Sequence, residues 1–531
     1  MPWLALVGPE IEENLSLRHL ASALSRAGFD SEILPFNRKE DLPAVLEAIL
    51  ARPEPPLAVA LSLAFQWRAL DFLALALGLR DRGYRGHLTA GGHFGTFAAS
   101  DLLRDFPQLD SLCRHEAEEL IVELASALRD RAPIAGIRGL ATRDSAGAVV
   151  LAPLRSPPDL AALPWPDRRG EPASCLGHGI AAMVSSRGCY ARCAFCCIAA
   201  WHEQTLPGKR FRLRPVDDVA REMAWLQAEK GRDVFIFHDD NFFLPRPQDS
   251  LERIHALAGE LDRLGMRRFA TVVKARPNDV TEEVFRAMRD RLGCIRVFLG
   301  VESDSDQGLL TLGRKVASEQ NHAALKVLTD LGLYVCFNLL VFDPDTTLES
   351  LEANLAFMED FGDNPFNFGR VELYAGTPLL ERMQRERRCT GDWLGWDYRL
   401  ANPEIQRTFE LALEAFFERN FSARSLANQL MGTRFDAEAA RHFHPERYRP
   451  EWVGTAKDLN RRLSRDSVAG LREIVGFVRE RGPSAPAAGW VANLSRRLRG
   501  TERTIAAEAA ALERAVRETV AGSSGAAREG R

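Results

Sequence analysis

Several classes of protein are excluded by what this chain of 531 residues lacks. Its apolar runs are short, and a stretch such as 72–79 falls far below the ~20 residues that a membrane helix requires. The formal net charge is only −4 and the pI is near 6.3, so there is no overall attraction to nucleic acid or to anionic lipid. We therefore expect neither a membrane span nor a nucleic-acid partner.

The sequence also lacks the signs of export. No charged segment followed by an apolar one stands near its beginning, and the nine cysteines are irregularly spaced rather than arranged as a disulfide framework. These features predict a cytoplasmic protein whose thiols stay reduced. A chain of this length is expected to form about three domains of ~100–200 residues each.

The most informative motif is the run Ser-Ser-Arg-Gly-Cys-Tyr-Ala-Arg-Cys-Ala-Phe-Cys at residues 185–196. The thiolates of Cys189, Cys193 and Cys196 can hold three irons of a 4Fe-4S cluster and leave the fourth iron open. An open iron can bind the amino and carboxylate groups of S-adenosylmethionine (SAM), which a low-potential cluster can then reduce. The alternatives are a zinc site and a set of buried thiols, but zinc favours four closed ligands in paired knuckles, and the sequence has no second knuckle. The adjacent Cys197 is interpreted as a packed small side chain.

This spacing, the aromatic Phe195 before the third cysteine and the strand-like segment 180–184 together resemble the radical-SAM superfamily. After the cysteine loop, apolar strands alternate with helical segments as far as a strand at 366–373. Six strands joined by right-handed crossovers form a partial TIM-type barrel. The fold expected over residues 175–390 is therefore a (β/α)6 radical-SAM core.

The first 140 residues also alternate strands with helices, which predicts a doubly wound parallel sheet. Ligands of such sheets bind where loops gather at the carboxyl ends of the strands. Placed before a radical-SAM core, the segments 61–63, 91–92 and 115–118 resemble the cobalamin-binding domain of the cobalamin-dependent radical-SAM subfamily. This resemblance implies cobalamin contacts from Ser62, Gly91, Gly92 and Glu116, with the glycines allowing a large flat ligand to approach the backbone.

The loop after the first strand departs from the cobalamin domains of mutases and methionine synthase. Those domains carry an Asp-x-His-x-x-Gly loop whose histidine binds cobalt from below, whereas residues 8–15 here read Gly-Pro-Glu-Ile-Glu-Glu-Asn-Leu. His19, in the following helix, is interpreted as a surface or packing residue. Because the subfamily commonly lacks the lower histidine, the resemblance implies base-off cobalt without a protein ligand below it.

The remaining segments complete the expected α/β architecture. A proline-rich linker at 141–174 joins the cobalamin-binding domain, 1–140, to the core, since prolines cannot continue a helix or a central strand. Residues 391–520 are helical in pattern and charged, which predicts a helical C-terminal domain that caps the barrel and helps to select the substrate. Residues 521–531 are expected to form a disordered tail.

Polar residues at the predicted strand ends resemble the SAM contacts of the family. Asp239 and Asp240 stand where other members have Gly-Gly-Glu, the turn that meets the SAM amino group, and the alternative is a polar turn that caps the next helix. The remaining candidates are Glu302 and Ser303 for the ribose or methionine end of SAM, Arg276 for its carboxylate or for a surface role, and Gly376 for a turn against adenine. The fifth strand departs from the family pattern because it lacks the usual glycine before its Pro-x-x-Thr turn.

Together these resemblances imply a cobalamin-dependent radical-SAM methyltransferase with a 4Fe-4S cluster, SAM and cobalamin. It would methylate an unactivated carbon of a natural-product or peptide substrate through methylcobalamin and a 5'-deoxyadenosyl radical. An external electron donor such as flavodoxin or ferredoxin is the expected partner, and no residue is assigned as catalytic.

Three other functions remain open from the sequence. The first is a cobalamin-dependent radical-SAM enzyme without methyl transfer, which performs oxidative cyclisation or rearrangement. The second is a methylthiotransferase, although those enzymes bring three further cysteines in their N-terminal domain and this chain has Cys113 alone before the linker. The third is a non-catalytic corrinoid protein.

Overall fold

The structure, a computed structural model, describes residues 2–422 and 425–522. It consists of two seven-stranded sheets covered by helices, followed by a C-terminal group of long helices. This arrangement confirms the expected α/β class. Most of the predicted tail, residues 523–531, lies outside the described residues. Among the helices that the structure does describe, none combines the length and apolar character needed to cross a bilayer.

The first sheet belongs to the N-terminal domain. Its strands are β1 (Trp3–Gly8), β2 (Asp30–Pro35), β3 (Ala58–Ser62), β4 (His87–Gly91), β5 (Ser111–Cys113), β6 (Leu140–Arg143) and β7 (Val149–Leu151). Its helices are α1 (Leu15–Arg26), α2 (Leu42–Leu50), α3 (Ala69–Asp81), α4 (His93–Phe97), α5 (Ala99–Asp105) and α6 (Glu118–Arg129). The strand order is β2-β1-β3-β4-β5-β6-β7, and β1 to β5 run parallel. An apolar core on each face confirms the predicted doubly wound sheet.

The first sheet continues beyond the predicted boundary at residue 140. Strands β6 and β7 form an antiparallel hairpin on its edge, with Ala141 paired to both Leu112 and Leu151. This hairpin is difficult to recognise in the sequence because its strands have only four and three residues and the apolar Val-Val-Leu of β7 is largely exposed. The segment that crosses to the second sheet therefore begins near residue 152.

The second sheet forms an open half-barrel. Its strands are β8 (Ser174–Cys175), β9 (His178–Met183), β12 (Arg232–Phe237), β13 (Ala270–Ala275), β14 (Cys294–Glu302), β15 (Tyr334–Phe342) and β16 (Phe366–Arg370). Two small hairpins lie outside it, formed by β10 (Ser186–Gly188) with β11 (Phe211–Leu213) and by β17 (Cys389–Asp392) with β18 (Gly395–Tyr398). The order is β16-β15-β14-β13-β12-β9-β8, and all strands except the edge strand β8 run parallel, as predicted for a (β/α)6 barrel.

Twelve further helices complete the described chain. Those of the barrel are α7 (Ile198–Thr205), α8 (Val216–Lys230), α9 (Pro247–Arg263), α10 (Glu282–Leu292), α11 (Asp306–Thr311), α12 (Ser318–Asp330), α13 (Leu348–Asp360) and α14 (Pro378–Arg385). The C-terminal ones are α15 (Pro403–Phe416), α16 (Leu426–Phe443), α17 (Pro450–Arg481) and α18 (Ala488–Ala521), with a π-helical turn over Phe417–Phe421. The C-terminal region is therefore helical, as predicted.

Helix α16 lies inside the half-barrel. Outward-facing residues such as Phe235 and Val273 join the core formed with the surrounding helices. Their neighbours Val234 and Val272 face the other way and pack against a core that contains Phe435 of α16. Because successive side chains of a strand point to opposite faces, α16 covers the inner face near the amino ends of the strands. The lumen is thus closed at that end and open toward the carboxyl ends.

The two sheets are joined by buried ion pairs. Glu13, in the loop after β1, pairs with Arg168 of the crossing segment and, at 2.9 Å, with Arg232 at the start of β12. The backbone N–H of Ala182 donates to the same carboxylate at 3.0 Å. The two arginine side chains are 1% and 2% exposed, so the carboxylate supplies the opposite charge that their burial requires. The loop that lacks a histidine therefore docks the first sheet on the barrel.

Replacing Glu13 by glutamine should weaken this docking. The Glu13→Gln variant keeps the side-chain shape but leaves Arg232 without an ion-pair partner among the described residues. Removing one partner of a buried pair costs about 3–5 kcal/mol, so the melting temperature should fall and amide exchange in loop 8–15 should rise. Glu283→Gln, at an exposed position without an ion pair in the described structure, is the matched control and should change neither quantity. An unchanged melt in Glu13→Gln would show that the docking does not depend on this charge.

Candidate functional site

A cleft lies between the carboxyl edge of the first sheet and the mouth of the barrel. Its empty space amounts to about 1190 Å³, a volume that includes the part open to solvent. One wall is made by the start of α1 and the loops after β3, β4 and β5, and the other by the ends of β9 and β12 and by α7. Five of the residues predicted from the sequence lie in these walls: Ser62, Gly91, Gly92, Glu116 and Asp240. Loops from both sheets therefore meet at one site.

Gly92 is required by the packing of the loops in this wall. Its φ is 101°, and a Cβ would lie 2.9 Å from the backbone N of Ala64 and from the carbonyl carbon of Leu63. A Cβ on Gly91 would lie 3.1 Å from the carbonyl oxygen of Cys113. A side chain at Gly92 would therefore push the β3 and β4 loops apart. The space that the sequence assigned to an approaching ligand is taken here by neighbouring backbone.

Three histidines surround a tryptophan across the cleft. The Trp201 ring centroid lies 4.8 Å from that of His93, 5.0 Å from that of His115 and 4.9 Å from that of His202. His93 and His115 follow β4 and β5, whereas Trp201 and His202 belong to α7 after the cysteine loop. Sequence reasoning missed this cluster because no spacing links residues of two domains.

Several polar atoms in this wall are buried without a partner. Within the described structure, Trp201 Nε1, both ring nitrogens of His115 and Nε2 of His19 are buried and make no hydrogen bond. His19 is 6% exposed and lines the cleft, so it is a packing residue rather than a surface one. Unsatisfied buried polar atoms are costly, and the amide side chains around a corrin ring are donors and acceptors that would satisfy them. The cleft wall therefore fits a cobalamin.

The histidines are neutral at physiological pH. Burial lowers the pKa of His115 to about 4. Burial also lowers the pKa of His202 to about 3, with the cations of Arg212 and other neighbours adding to the effect. The aromatic wall is therefore uncharged and offers hydrogen-bonding groups without repelling a neutral ligand.

Glu116 and Glu118 fasten this wall to the cysteine loop. Arg187, two residues before the first cysteine, pairs with each carboxylate at 2.6 Å, and Arg212 on β11 also pairs with Glu116. The carboxylate side chains are only 5% and 6% exposed. Although burial alone would raise it, Arg187 holds the pKa of Glu118 below its usual range. The carboxylate of Glu116 is thus engaged by the barrel.

The three predicted cysteines lie in a loop after β10. Cys193 is buried and accepts hydrogen bonds at its Sγ from Arg276 at 3.1 Å and from Arg314 at 3.2 Å. Cys189 and Cys196 are half-buried, and the backbone N–H of Cys196 donates to the Cys193 carbonyl at 3.2 Å. Hydrogen bonds to the sulfur ligands are typical of the surroundings of iron–sulfur clusters. This donor set fits an iron–sulfur cluster.

The cysteine sulfurs do not converge on a single point. Among the described residues, no group of three or more histidine, cysteine or acidic side chains is arranged to hold one metal ion. A cubane cluster needs a different arrangement, because each thiolate binds its own iron. The geometry therefore disfavours a mononuclear zinc site and is compatible with a cluster.

The two aspartates at the end of β12 have different environments. Asp239 is 1% exposed and accepts hydrogen bonds from the hydroxyls of Ser185 and Ser186 and from the backbone N–H of Ser185. Asp240 accepts a bond from the backbone N–H of Gly188 at 2.9 Å and lines the cleft. Asp239 therefore fixes the approach to the cysteine loop, and Asp240 is the one that faces ligand space.

Glu302 and Ser303 also have different environments. Glu302 has a φ of 64°, a left-handed conformation that costs a non-glycine residue of order 1–3 kcal/mol. Burial raises the pKa of its carboxyl, and the nearby Arg314 opposes this shift. Ser303 is fully buried, and its hydroxyl lies 3.3 Å from Ser305 Oγ and from Asn354 Oδ1. The strained Glu302 is thus the member of the pair that is available to a ligand, while Ser303 stabilises the loop.

Arg276 and Gly376 are placed by contacts within the protein. Arg276 directly follows β13, and besides Cys193 its guanidinium donates to the Arg314 carbonyl at 2.6 Å and to Asn278 at 3.2 Å. It is therefore buried beside the cysteine loop rather than on the surface. Gly376 has a φ of 77°, and a Cβ there would lie 2.4 Å from the Phe97 ring of the first domain. This turn accordingly packs against the N-terminal domain.

Acidification should destabilise the wall through His202. In an unfolded chain the imidazole pKa is near 6.5, and in the fold it is about 3. Between these values the unfolded state binds the extra proton, so the free energy of unfolding falls as pH drops, by up to ~1.4 kcal/mol per pH unit. His202→Gln should therefore show a shallower loss of melting temperature between pH 6.5 and 4. The exposed His255→Gln is the control and should keep the wild-type dependence of melting temperature on pH. The same wild-type dependence in His202→Gln would contradict this assignment.

Two family models match the chain. The B12 binding domain model matches residues 4–125, which cover the first sheet up to α6. The model of the Radical SAM superfamily matches residues 183–358, from the end of β9 to α13. The matched segments contain the loops that build the cleft and the three cysteines.

Two known proteins resemble part of this chain. An uncharacterized methyltransferase of Pyrococcus horikoshii is 27% identical over 294 residues, which cover 55% of this chain and 61% of the relative. The hopanoid C-3 methylase of Methylococcus capsulatus is 28% identical over 353 residues, covering 64% and 63%. The chain thus spans less than two thirds of the length of these relatives.

The fold is also that of a solved structure. The cobalamin-dependent SAM radical enzyme OxsB, determined with aqua-cobalamin and SAM bound, superposes with a TM-score of 0.67 at 17% identity, over 100% of this chain and 81% of OxsB. Both family models, the shared fold and the donor sets of the cleft agree on a 4Fe-4S cluster, SAM and cobalamin as cofactors. The chain therefore combines a B12 binding domain with a domain of the Radical SAM superfamily.

Proposed function

We propose that this protein is a methyltransferase that methylates an unactivated carbon of a natural-product or peptide substrate. The observation that carries the proposal is the single cleft in which loops of the B12 domain face the mouth of the radical-SAM barrel. When bound, the cluster and SAM supply hydrogen-atom abstraction, and the corrinoid supplies a carried methyl group. Two relatives named as a methyltransferase and a methylase support this outcome.

We assign the cysteine loop and the strand ends to the cluster and SAM. Cys189, Cys193 and Cys196 each bind one iron in this proposal. Asp240 and Glu302 are the two carboxylates that would accept from the SAM amino group and ribose, since each lies at a strand end and Asp239 is engaged by serines. Arg276 and Arg314 orient Cys193 through their hydrogen bonds to its Sγ.

We assign the first wall of the cleft to cobalamin. Ser62, Gly91 and Gly92 form its backbone, and the unpartnered ring nitrogens of His115 and the indole N–H of Trp201 face the corrin rim. The domain contacts fix the distance between this wall and the barrel mouth, so positioning is the contribution of the protein. An external flavodoxin or ferredoxin in the cytoplasm supplies electrons in this proposal.

A methyl group added at Gly92 tests the cobalamin wall. Gly92→Ala places a Cβ 2.9 Å from the Leu63–Ala64 backbone at a φ of 101°, so the β3 and β4 loops must separate and the corrinoid-to-protein ratio after anaerobic loading should fall severalfold. The control is Gly136→Ala, which has a φ of 93° but no atom within 4 Å of the added Cβ. It reproduces the backbone strain without the collision and should keep the wild-type corrinoid content. Equal loading of both variants would remove this wall from the proposed site.

Isotope labelling tests the reaction class. Anaerobically loaded protein with a reductant and SAM bearing a trideuterated methyl group should release 5'-deoxyadenosine and leave labelled methyl in the corrinoid fraction. The Cys189→Ala, Cys193→Ala, Cys196→Ala triple variant should lose iron and 5'-deoxyadenosine while it keeps the corrinoid. 5'-Deoxyadenosine without labelled methyl would instead indicate a radical enzyme that transfers no methyl group. Absence of both products from fully loaded wild-type protein would indicate a non-catalytic corrinoid protein.

A further inference from the structure

Two cations lie on the inner face of the barrel without an ion-pair partner. Lys274 of β13 and Arg296 of β14 are half-buried, and neither has a carboxylate within 4 Å in the described part of the chain. The Nε of Arg296 is buried and has no hydrogen-bond partner among those residues. Most other buried arginines of this protein are paired, such as Arg168, Arg232 and Arg419. Buried charges are rarely left unpaired unless a ligand completes them.

Both side chains point into the lumen. Lys274 is two residues beyond Val272, so it shares the inner face on which Val272 packs toward α16. Arg296 pairs with Val272 in the strand register, and its guanidinium carbon lies 5.1 Å from the centre of the Phe435 ring on α16. Strand spacing and rise put the two Cα atoms about 8 Å apart. Two side chains of this length can therefore reach one small group.

The carboxylates near these cations make hydrogen bonds to other groups. Glu12, in the loop after β1, lies 3.3 Å from His238 Nε2 at the rim of the lumen. The hydrogen-bonding His238 lowers the pKa of Glu12, and the charges of Arg296 and Lys274 add to the shift. Asp240 is bound by the backbone N–H of Gly188. The rim is thus acidic, and the floor of the lumen is basic.

The opposite side of the lumen offers amides and space. Asn338 of β15 pairs in register with Asn367 of β16, whose Oδ1 is buried without a partner in the described structure. Both line a second cleft between β16 and α15, together with Arg370, Phe409 and other residues, and its empty space, including the part open to solvent, amounts to about 1660 Å³. A molecule entering through this cleft reaches the lumen from the side, away from the cobalamin wall.

We propose that the substrate carries an oxyanion group, a carboxylate or a phosphate, which Lys274 and Arg296 bind on the floor of the lumen. The forked guanidinium and the ammonium match the lone pairs of such a group, and Asn338 lies further along the same inner face. The rest of the substrate extends into the second cleft. This inference rests on the proposed function, since it names the substrate class of that site.

Phosphate binding tests the inference without knowledge of the substrate. Inorganic phosphate is titrated into the cofactor-loaded protein, and its 31P line width is followed, with acetate as a competitor. Saturable broadening should weaken about tenfold or more in Lys274→Gln/Arg296→Gln, as expected for the loss of two charge-assisted contacts. Arg296→Lys, which keeps the charge, should retain part of the binding and guards against a folding defect in the double variant. Lys39→Gln/Arg503→Gln, at two exposed positions, is the matched control and should bind like wild type.

The outcomes separate this inference from the proposed function. Equal phosphate binding in wild type and in a folded double variant overturns the oxyanion site even if 5'-deoxyadenosine is produced. Loss of phosphate binding when SAM is added assigns the two cations to the SAM carboxylate and also overturns it. Binding that persists with SAM and cobalamin present, and that only the lumen variants lose, supports it. Competition by acetate then favours a carboxylate substrate, and its failure favours a phosphate.

Discussion

The geometry of the site depends on the burial of Arg187 between the two sheets. This cation stands two residues before the first cysteine and is neutralised by Glu116 and Glu118 of the other domain. Taking three charges out of water is costly unless they meet with good geometry, so the domains have one favourable relative position. The ion pairs of Glu13 fix a second point of contact. The ion pairs between the domains therefore hold the two walls of the cleft at a fixed separation.

The charges around the active region are sorted by depth. Neutral histidines and Trp201 lie in the cleft between the two domains, carboxylates stand at the strand ends, and Lys274 and Arg296 lie below them in the lumen. Each layer suits a different chemistry: an amide-rich neutral ring, the positively charged end of SAM, and an anionic group. Groups of opposite charge occupy different layers, which reduces binding of each molecule in the wrong layer.

Much of the architecture could be predicted because it follows from the local periodicity of apolar residues. Apolar strands that alternate with amphipathic helices specify both parallel sheets, and the spacing of Cys189, Cys193 and Cys196 is contiguous in the chain. The edge hairpin at β6 and β7 could not be predicted, because its strands have only four and three residues and the apolar residues of β7 are largely exposed. The different environments of Asp239 and Asp240 could not be predicted either, since they depend on which carboxylate accepts hydrogen bonds from the distant Ser185 and Ser186. Pairings such as Glu13 with Arg232 bring together residues far apart in sequence, and only the assembled fold reveals them.

Helix α16 gives the barrel a floor that the barrel strands do not provide themselves. In a closed barrel, the strands' own side chains fill the interior in layers, so the depth of the interior changes only with the sheet. Here Phe435 and its neighbours on a separate C-terminal helix set that depth. The length of molecule that the lumen accommodates can thus vary through residues that take no part in holding the cofactors. Exchange of this helix between related chains would accordingly change the range of substrates without changing the residues that bind the cofactors.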